Sequence, residues 1–276
     1  MSGVVAVGFD GSPESLAAAD WAAREALACE APLRIVQVGG RPPYDYSLFE
    51  DTVGVVPMLR AAVEALTDRT AGLRGSVERL PGQAVPALVD VSRDAELLVL
   101  GSQGLGRTTG LLLGSVASAV VARAERPVVL VRADAEAARE RLADASGAPS
   151  ATTPYRDVVV GVDFGDPDDT VLGFAFAAAC RRAAGLRVVH GPSLPGPAHR
   201  SADVLGPWQA KFPGVEVTAE TAIGDVGEHV ADASRDASLV VVGRRRRHAR
   251  LGPHIGPVAD TVLRHAWAPV AVVPHD

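Results

Sequence analysis

Lysine is almost missing from this chain: Lys211 is the single one, and arginine supplies the rest of the 27 basic side chains. A P-loop needs a compact ammonium on the terminal phosphates, so its lysine cannot be found where one would look for it. Cysteine is nearly as scarce, with only Cys29 and Cys180, which excludes a disulfide framework. Each falls late in an expected helix, and both read as buried thiols rather than metal ligands. No apolar run approaches membrane-spanning length, and Met1 leads into a strand with no signal-peptide pattern, so a cytoplasmic protein is expected. A net charge of -6 argues against a general nucleic-acid surface. The seven histidines show no metal-ligand spacing. No serine–histidine, cysteine–histidine or paired-carboxylate constellation emerges, so no catalytic residue is assigned and no enzyme is expected.

What the chain does have is apolar residues (47%) and glycine (28 residues), and 276 residues suffice for two ordinary domains. Its most informative stretch runs from Glu96 to Val131. Leu97 to Leu100 has the character of a buried parallel strand, and Val128 to Val131 is a second, entered through Pro127. Between them lie Gly101, Gly104, Gly106 and Gly110, then Gly114-Ser115 at the head of an apolar helical pattern. Strand, glycine loop, helix, strand is a βαβ unit. Its helix N-terminus offers unpaired backbone N–H groups and a positive dipole end to an anion such as phosphate. Glycines let the backbone approach closely, and Ser115 adds a hydroxyl.

Two common phosphate motifs fail here. Gly101-x4-Gly106-Arg107-Thr108 lacks the P-loop lysine and follows the fourth expected strand rather than the first. Gly104-x-Gly106 is followed by Thr109 where a dinucleotide fingerprint has its third glycine. A glycine-rich connection without a ligand is the plainer alternative, but it leaves the serine-bearing helix start unexplained.

The rest of the first half reads as alternating strand and helix. Val4 to Val7 is a strand. Ser12-Pro13-Glu14 is a helix start, followed by a helix with Leu16, Ala19, Ala23 and Leu27 on one face. Leu33 to Val38 is a strand, and residues 39–54 a long surface loop. Pro57 to Leu73 is helical, Ser76 to Leu80 a strand, and Val85 to Arg93 helical. Residues 133–154 change character, with an alanine-rich charged patch and then SGAPSATTP. A short helix and an extended connector are expected there.

The second half repeats the first. Asp163 pairs with Asp10 and LRVVHG (186–191) with LRIVQV (33–38) at an offset of 153, while Gly224, Gly243, Gly256 and Pro269 answer Gly82, Gly101, Gly114 and Pro127 at 142. Constant offsets on either side of one deletion mark a tandem repeat. The expected organisation is a domain over 1–133, a linker over 134–154 and a second domain over 155–276.

Gly101-x2-Gly104-x9-Gly114-Ser115, lying between those two strands, resembles the ATP-binding signature of the universal stress protein family, and the resemblance covers nearly the whole chain. It implies an α/β fold of two doubly wound, Rossmann-like, five-stranded parallel sheets in the order 3-2-1-4-5. It also implies a site where strand order reverses. By resemblance, the backbone at Gly8, Phe9 and Val38 holds adenine, and Asp10 faces the ribose or a magnesium ion, although a plain turn role suits Asp10 as well. Gly101, Ser102, Gln103, Gly104, Leu105, Gly106 and Arg107 would wrap ribose and phosphates. Beyond Gly114, Ser115 and Val116 would donate to the β- and γ-phosphates of ATP, with or without magnesium.

The second copy has Arg246 in place of Gly104 and Pro257 in place of Ser115, so a degenerate site is expected. The arginines at 244–247, with His248 and Arg250, read as a solvated cationic loop. The expected function is a nucleotide-dependent regulator in stress response, with an adenine nucleotide and an unidentified protein as partners, but no membrane or nucleic acid. The alternatives are a slow ATP-hydrolysing or nucleotidyl-transferring enzyme, or a scaffold without ligand. The last strands, Val128 to Val131 and Val270 to Val273, are expected to pair the two domains within the chain, which leaves room for a homodimer.

Overall fold

The computed structural model describes residues 3–39, 72–103, 113–133, 137–148, 150, 152–192, 197–246 and 254–276. The chain divides into two compact units, Met1–Asp134 and Ala135–Asp276.

In the first unit, β1 (Val5–Gly8), β2 (Leu33–Val38), β3 (Gly75–Leu80), β4 (Leu97–Gly101) and β5 (Val128–Val131) form a parallel sheet in the order β3-β2-β1-β4-β5. The central strands are buried at almost every position, as apolar runs covered on both faces should be. Val5 is paired with Leu33 on one side and Leu97 on the other. The strand order therefore reverses between β1 and β4, and their carboxyl ends open side by side.

Three helices of this unit are described: α1 (Pro13–Ala28), α2 (Ala84–Asp94) and α3 (Ser115–Arg123). A Cβ on Gly101 would meet Glu14 of α1, whereas one on Gly8 would meet Leu100 and Leu88, the latter on α2. Leu100 and Gly101 are adjacent in β4 and point to opposite faces, so α1 and α2 cover opposite faces of the sheet. The buried face of α1 is Ser15, Ala18, Ala19, Trp21, Ala22, Ala23, Glu25 and Ala26. Leu16, expected on that face, is exposed at 41%. Alanine prevails because it lets the helix axis come close to the sheet, which the bulk of leucine would prevent. Ser12 caps the helix as expected, accepting from Ser15 N at 3.1 Å, with Pro13 in the first turn. The long loop expected over 39–54 and the helix over 57–73 lie outside the described residues, apart from Gly39, the turn at Gly72 (φ 93°) and buried Leu73.

The second unit repeats the plan. β6 (Val158–Val162), β7 (Leu186–His190), β8 (Val217–Thr221), β9 (Leu239–Arg245) and β10 (Val270–His275) lie in the order β10-β9-β6-β7-β8, all parallel. Its helices are α4 (Asp169–Arg182), α5 (Pro197–Lys211), α6 (Val226–Ala233) and α7 (Pro257–His265). Asp168 caps α4 through Thr170 N at 2.8 Å and Val171 N at 3.2 Å. Phe176, Trp208 and Phe212 stack with centroids 5.7–6.3 Å apart, tying α4 to α5.

Residues 137–156 correct the sequence reading. Among the described residues there is no helix at 137–148 and the segment is not extended; it turns back on itself. Arg141 bridges Tyr155 in antiparallel fashion, Leu142 N donates to Pro154 O at 2.9 Å, and the Arg141 guanidinium lies 3.8 Å from the Tyr155 ring centroid. Asp144 makes the turn by accepting from Ser146 N and Ala148 N, with Gly147 at φ 82°. Turn chemistry at Asp144 and Gly147 outweighs the helical preference of the alanines. Arg156 then pairs with Asp236 at 2.9 Å, fastening this segment to the second unit.

The cysteines also depart from expectation. Cys180 is exposed and Cys29 only half-buried, because each falls at a helix end and not on its sheet-facing side.

Candidate functional site: the cavity at the strand ends of the first unit

The carboxyl ends of β1, β2 and β4 and the start of α3 enclose a cavity of about 240 Å³. At its apolar side stand Val36 and Val38 of β2, Leu88 of α2 and Leu100 of β4, with Gly8 and Phe9 as floor. A Cβ on Gly8 would lie 2.5 Å from Leu100 Cδ2 and 3.2 Å from Leu88 Cδ2, so both leucine ends would have to shift to admit it. The other side is made by Asp10, Ser15, Gln103, Gly114, Ser115 and Val116.

The β1–α1 corner is rigid. Phe9 N donates to Val36 O at 2.8 Å, Asp10 Oδ1 accepts from Ser12 N at 2.9 Å, and Gly11 N donates to Ser15 Oγ at 3.1 Å with Gly11 at φ 85°. Asp10 is thus both the turn-forming residue and a wall of the cavity. The plain turn role expected of Asp10 is present.

The glycine segment is anchored at both ends. Ser102 N donates to Val131 O at 2.7 Å, and Ser102 O accepts from Gly114 N at 2.8 Å. Gly114 is the N-cap of α3 and carries no side-chain cap. The N–H groups of Ser115, Val116 and Ala117 therefore have no acceptor one turn earlier, and all three residues border the cavity. This is the geometry of an anion site beside an apolar slot. Among the described lining residues Asp10 is the single ionisable side chain.

Of the residues singled out from the sequence, Gly8, Phe9, Asp10, Val38, Gly101, Gln103, Gly114, Ser115 and Val116 line one cavity. Ser102 does not border it and instead uses its backbone to hold the loop ends. Gly104, Leu105, Gly106 and Arg107 lie outside the described residues. Gly101 turns out to be glycine for packing: a Cβ there would sit 2.7 Å from Glu14 Cβ and 2.9 Å from the Glu14 carbonyl carbon. Sequence reasoning misses Ser15, Val36, Ala84, Leu88, Leu100 and Ala117. Ala84 and Leu88, four apart on α2, are the legible signal, since that spacing puts both on one helix face. No three His, Cys, Asp or Glu side chains among the described residues gather to hold a metal ion.

The second unit has a cavity in the same place, between β6, β7, β9 and the start of α7, of about 630 Å³. The cationic segment beside it is not simply solvated. Arg244 is buried, and burial with the nearby Arg246 charge lowers its pKa. Arg245 pairs with Asp166, and Arg246 approaches Asp276 at 3.8 Å. Arg247, His248 and Arg250 lie outside the described residues. His190, at the end of β7, is buried between Gly191 O at 2.9 Å, Thr221 Oγ1 at 3.3 Å and the Phe164 ring.

The Universal stress protein family profile matches residues 1–132 and 199–274. The chain is 31% identical to the universal stress protein Rv1996 of Mycobacterium tuberculosis over 320 aligned positions, covering 99% of this chain and 96% of the relative. It is 33% identical to Rv2005c of the same organism, covering 97% and 96%. The crystal structure of a universal stress protein from Archaeoglobus fulgidus superposes with a TM-score of 0.74 at 18% identity, covering both chains fully, and agrees in fold. No helix among the described residues is long and apolar enough to cross a membrane.

Proposed function

We propose that this chain, which belongs to the universal stress protein family, is an adenine-nucleotide-binding regulator whose first unit takes ATP. One observation carries the reading: the first turn of α3, the end of β4 and the ends of β1 and β2 border a single cavity with an apolar side and an amide-rich side. Adenine would lie against Gly8, Phe9 and Val38, and the ribose near Asp10. The segment from Gly101 to Arg107 would close over ribose and phosphates, and the amides of Ser115 and Val116 would meet the terminal phosphates. With Asp10 as the one carboxylate of the described lining, a magnesium ion would draw other ligands from phosphate and water.

We assign a binding and not a catalytic role. Hydrolysis needs a group to position water, and the described lining offers no acid or base besides Asp10, which would face ribose or magnesium. Occupancy would change the surface offered to a protein partner in stress response. The test is mass spectrometry of nucleotide carried through purification, followed by equilibrium dialysis of wild type and Gly104→Arg, which copies Arg246. One ATP per chain, lost in the variant, is expected; affinity unchanged by the substitution would contradict the reading.

A further inference from the structure

The two cavities differ in ways that point to different ligands. Across the apolar lining of the first cavity, Leu88 is answered by Val230, Leu100 by Val242, Phe9 by Val162 and Val38 by Gly191, which makes room, while Ala84 becomes Val226. On the second cavity's other wall, Phe164, Val171 and Leu172 answer Gly11, Ala18 and Ala19. The room gained is measurable at the matching glycines. A Cβ on Gly8 would collide with Leu100 at 2.5 Å, whereas one on Gly161 would make ordinary contacts at 3.6 Å to Val230 and 4.0 Å to Val242.

The amide-rich side changes in the opposite sense. Pro257 opens α7, so its first helical residue has neither an N–H nor a hydroxyl to offer. Asp163, Asp166 and Asp168 all line this cavity, against Asp10 alone among the described lining of the first. Among the described lining residues, Arg245 is paired with Asp166, and His275 Nδ1 lies 3.6 Å from Asp168 Oδ2. A triphosphate would lose an amide donor and meet carboxylates.

We propose that the cavity of the second unit binds a nucleoside without phosphates: a planar base in the widened apolar slot, with ribose hydroxyls donating to the aspartates. Asp163 retains the turn made by Asp10, accepting from Gly165 N at 2.8 Å, and so keeps an oxygen at the same place for a hydroxyl. The proposal rests on the reading of the first unit as the ATP site.

Adenosine is the probe, titrated calorimetrically into the full chain in saturating ATP. One equivalent of adenosine alongside one bound ATP is the expected result. Gly161→Val, whose Cβ has room and whose branches fill the slot, should abolish that equivalent and leave ATP binding unchanged. No adenosine binding beside one bound ATP overturns the proposal and leaves the first-unit reading intact. Two equivalents of ATP, or adenosine binding indifferent to Gly161→Val, overturn it as well. Failure of ATP to bind at all removes the premise and with it the proposal.

Discussion

The Gly114 amide donates to the Ser102 carbonyl oxygen at 2.8 Å. That bond brings the two ends of the glycine segment together and sets the first turn of α3 beside the end of β4. A Cβ on Gly114 would stand 3.2 Å from Gln103 Cα, so this glycine permits the strand end and helix start to touch. Gly114 thus acts on the residues that follow β4 through backbone contact, as well as bordering the cavity.

Gly101→Ala should destabilise the first unit. Its Cβ meets backbone and Cβ atoms of Glu14 below 3.0 Å, and a helix seated on a sheet cannot step aside cheaply. A cost of about 1–3 kcal/mol is expected in urea unfolding followed by circular dichroism. Gly243→Ala, at the matching place, meets the far end of the His275 ring, which can turn away, and should cost less. Equal effects would contradict this packing account.

Capping gives a second test. Ser12 and Asp168 start the matching helices of the two units. Ser12→Ala and Asp168→Ala should each cost about 1 kcal/mol of stability in the unit that carries it. Asp168→Asn should recover most of the loss, since asparagine caps nearly as well; no recovery would mean that contact with His275, and not the cap, supplies the stability.

The core of the first unit can be probed at Trp21, which is 2% exposed and sits among the alanines of α1. Trp21→Ala should cost about 3–5 kcal/mol. Trp267, half-exposed beneath the Arg235 guanidinium at 4.9 Å, should lose much less on the same substitution. Chemical denaturation of the two variants checks the contrast.

Strand positions, the repeat and the Ser12 cap are legible in the amino-acid sequence, each from a local pattern: an apolar run, a turn residue or a fixed offset. The meeting of Gly8, Asp10, Gly101 and Ser115 comes instead from the strand order that the family resemblance implies. What stays hidden depends on distance in space. Nothing local says that Gly101 is glycine because Glu14 presses on it, or that Leu88 walls the cavity. Hydrophobicity alone puts Leu16 on the buried face of α1, although close approach to the sheet favours alanine. Alanine content likewise suggests a short helix in the patch from Ala133 to Ala145, while Tyr155 and Arg141, fourteen residues apart, stabilise a return.

The central claim, that the first turn of α3 binds phosphate, is tested most directly by ATP dialysis against Ser115→Pro. Gly114 already has the extended conformation (φ -63°, ψ 146°) that a following proline requires, and Pro257 occupies the matching place. The helix should therefore survive with its melting temperature unchanged, while ATP affinity falls by about tenfold or more, equivalent to about 1.4 kcal/mol. An intact fold that binds ATP as tightly as wild type would contradict the account.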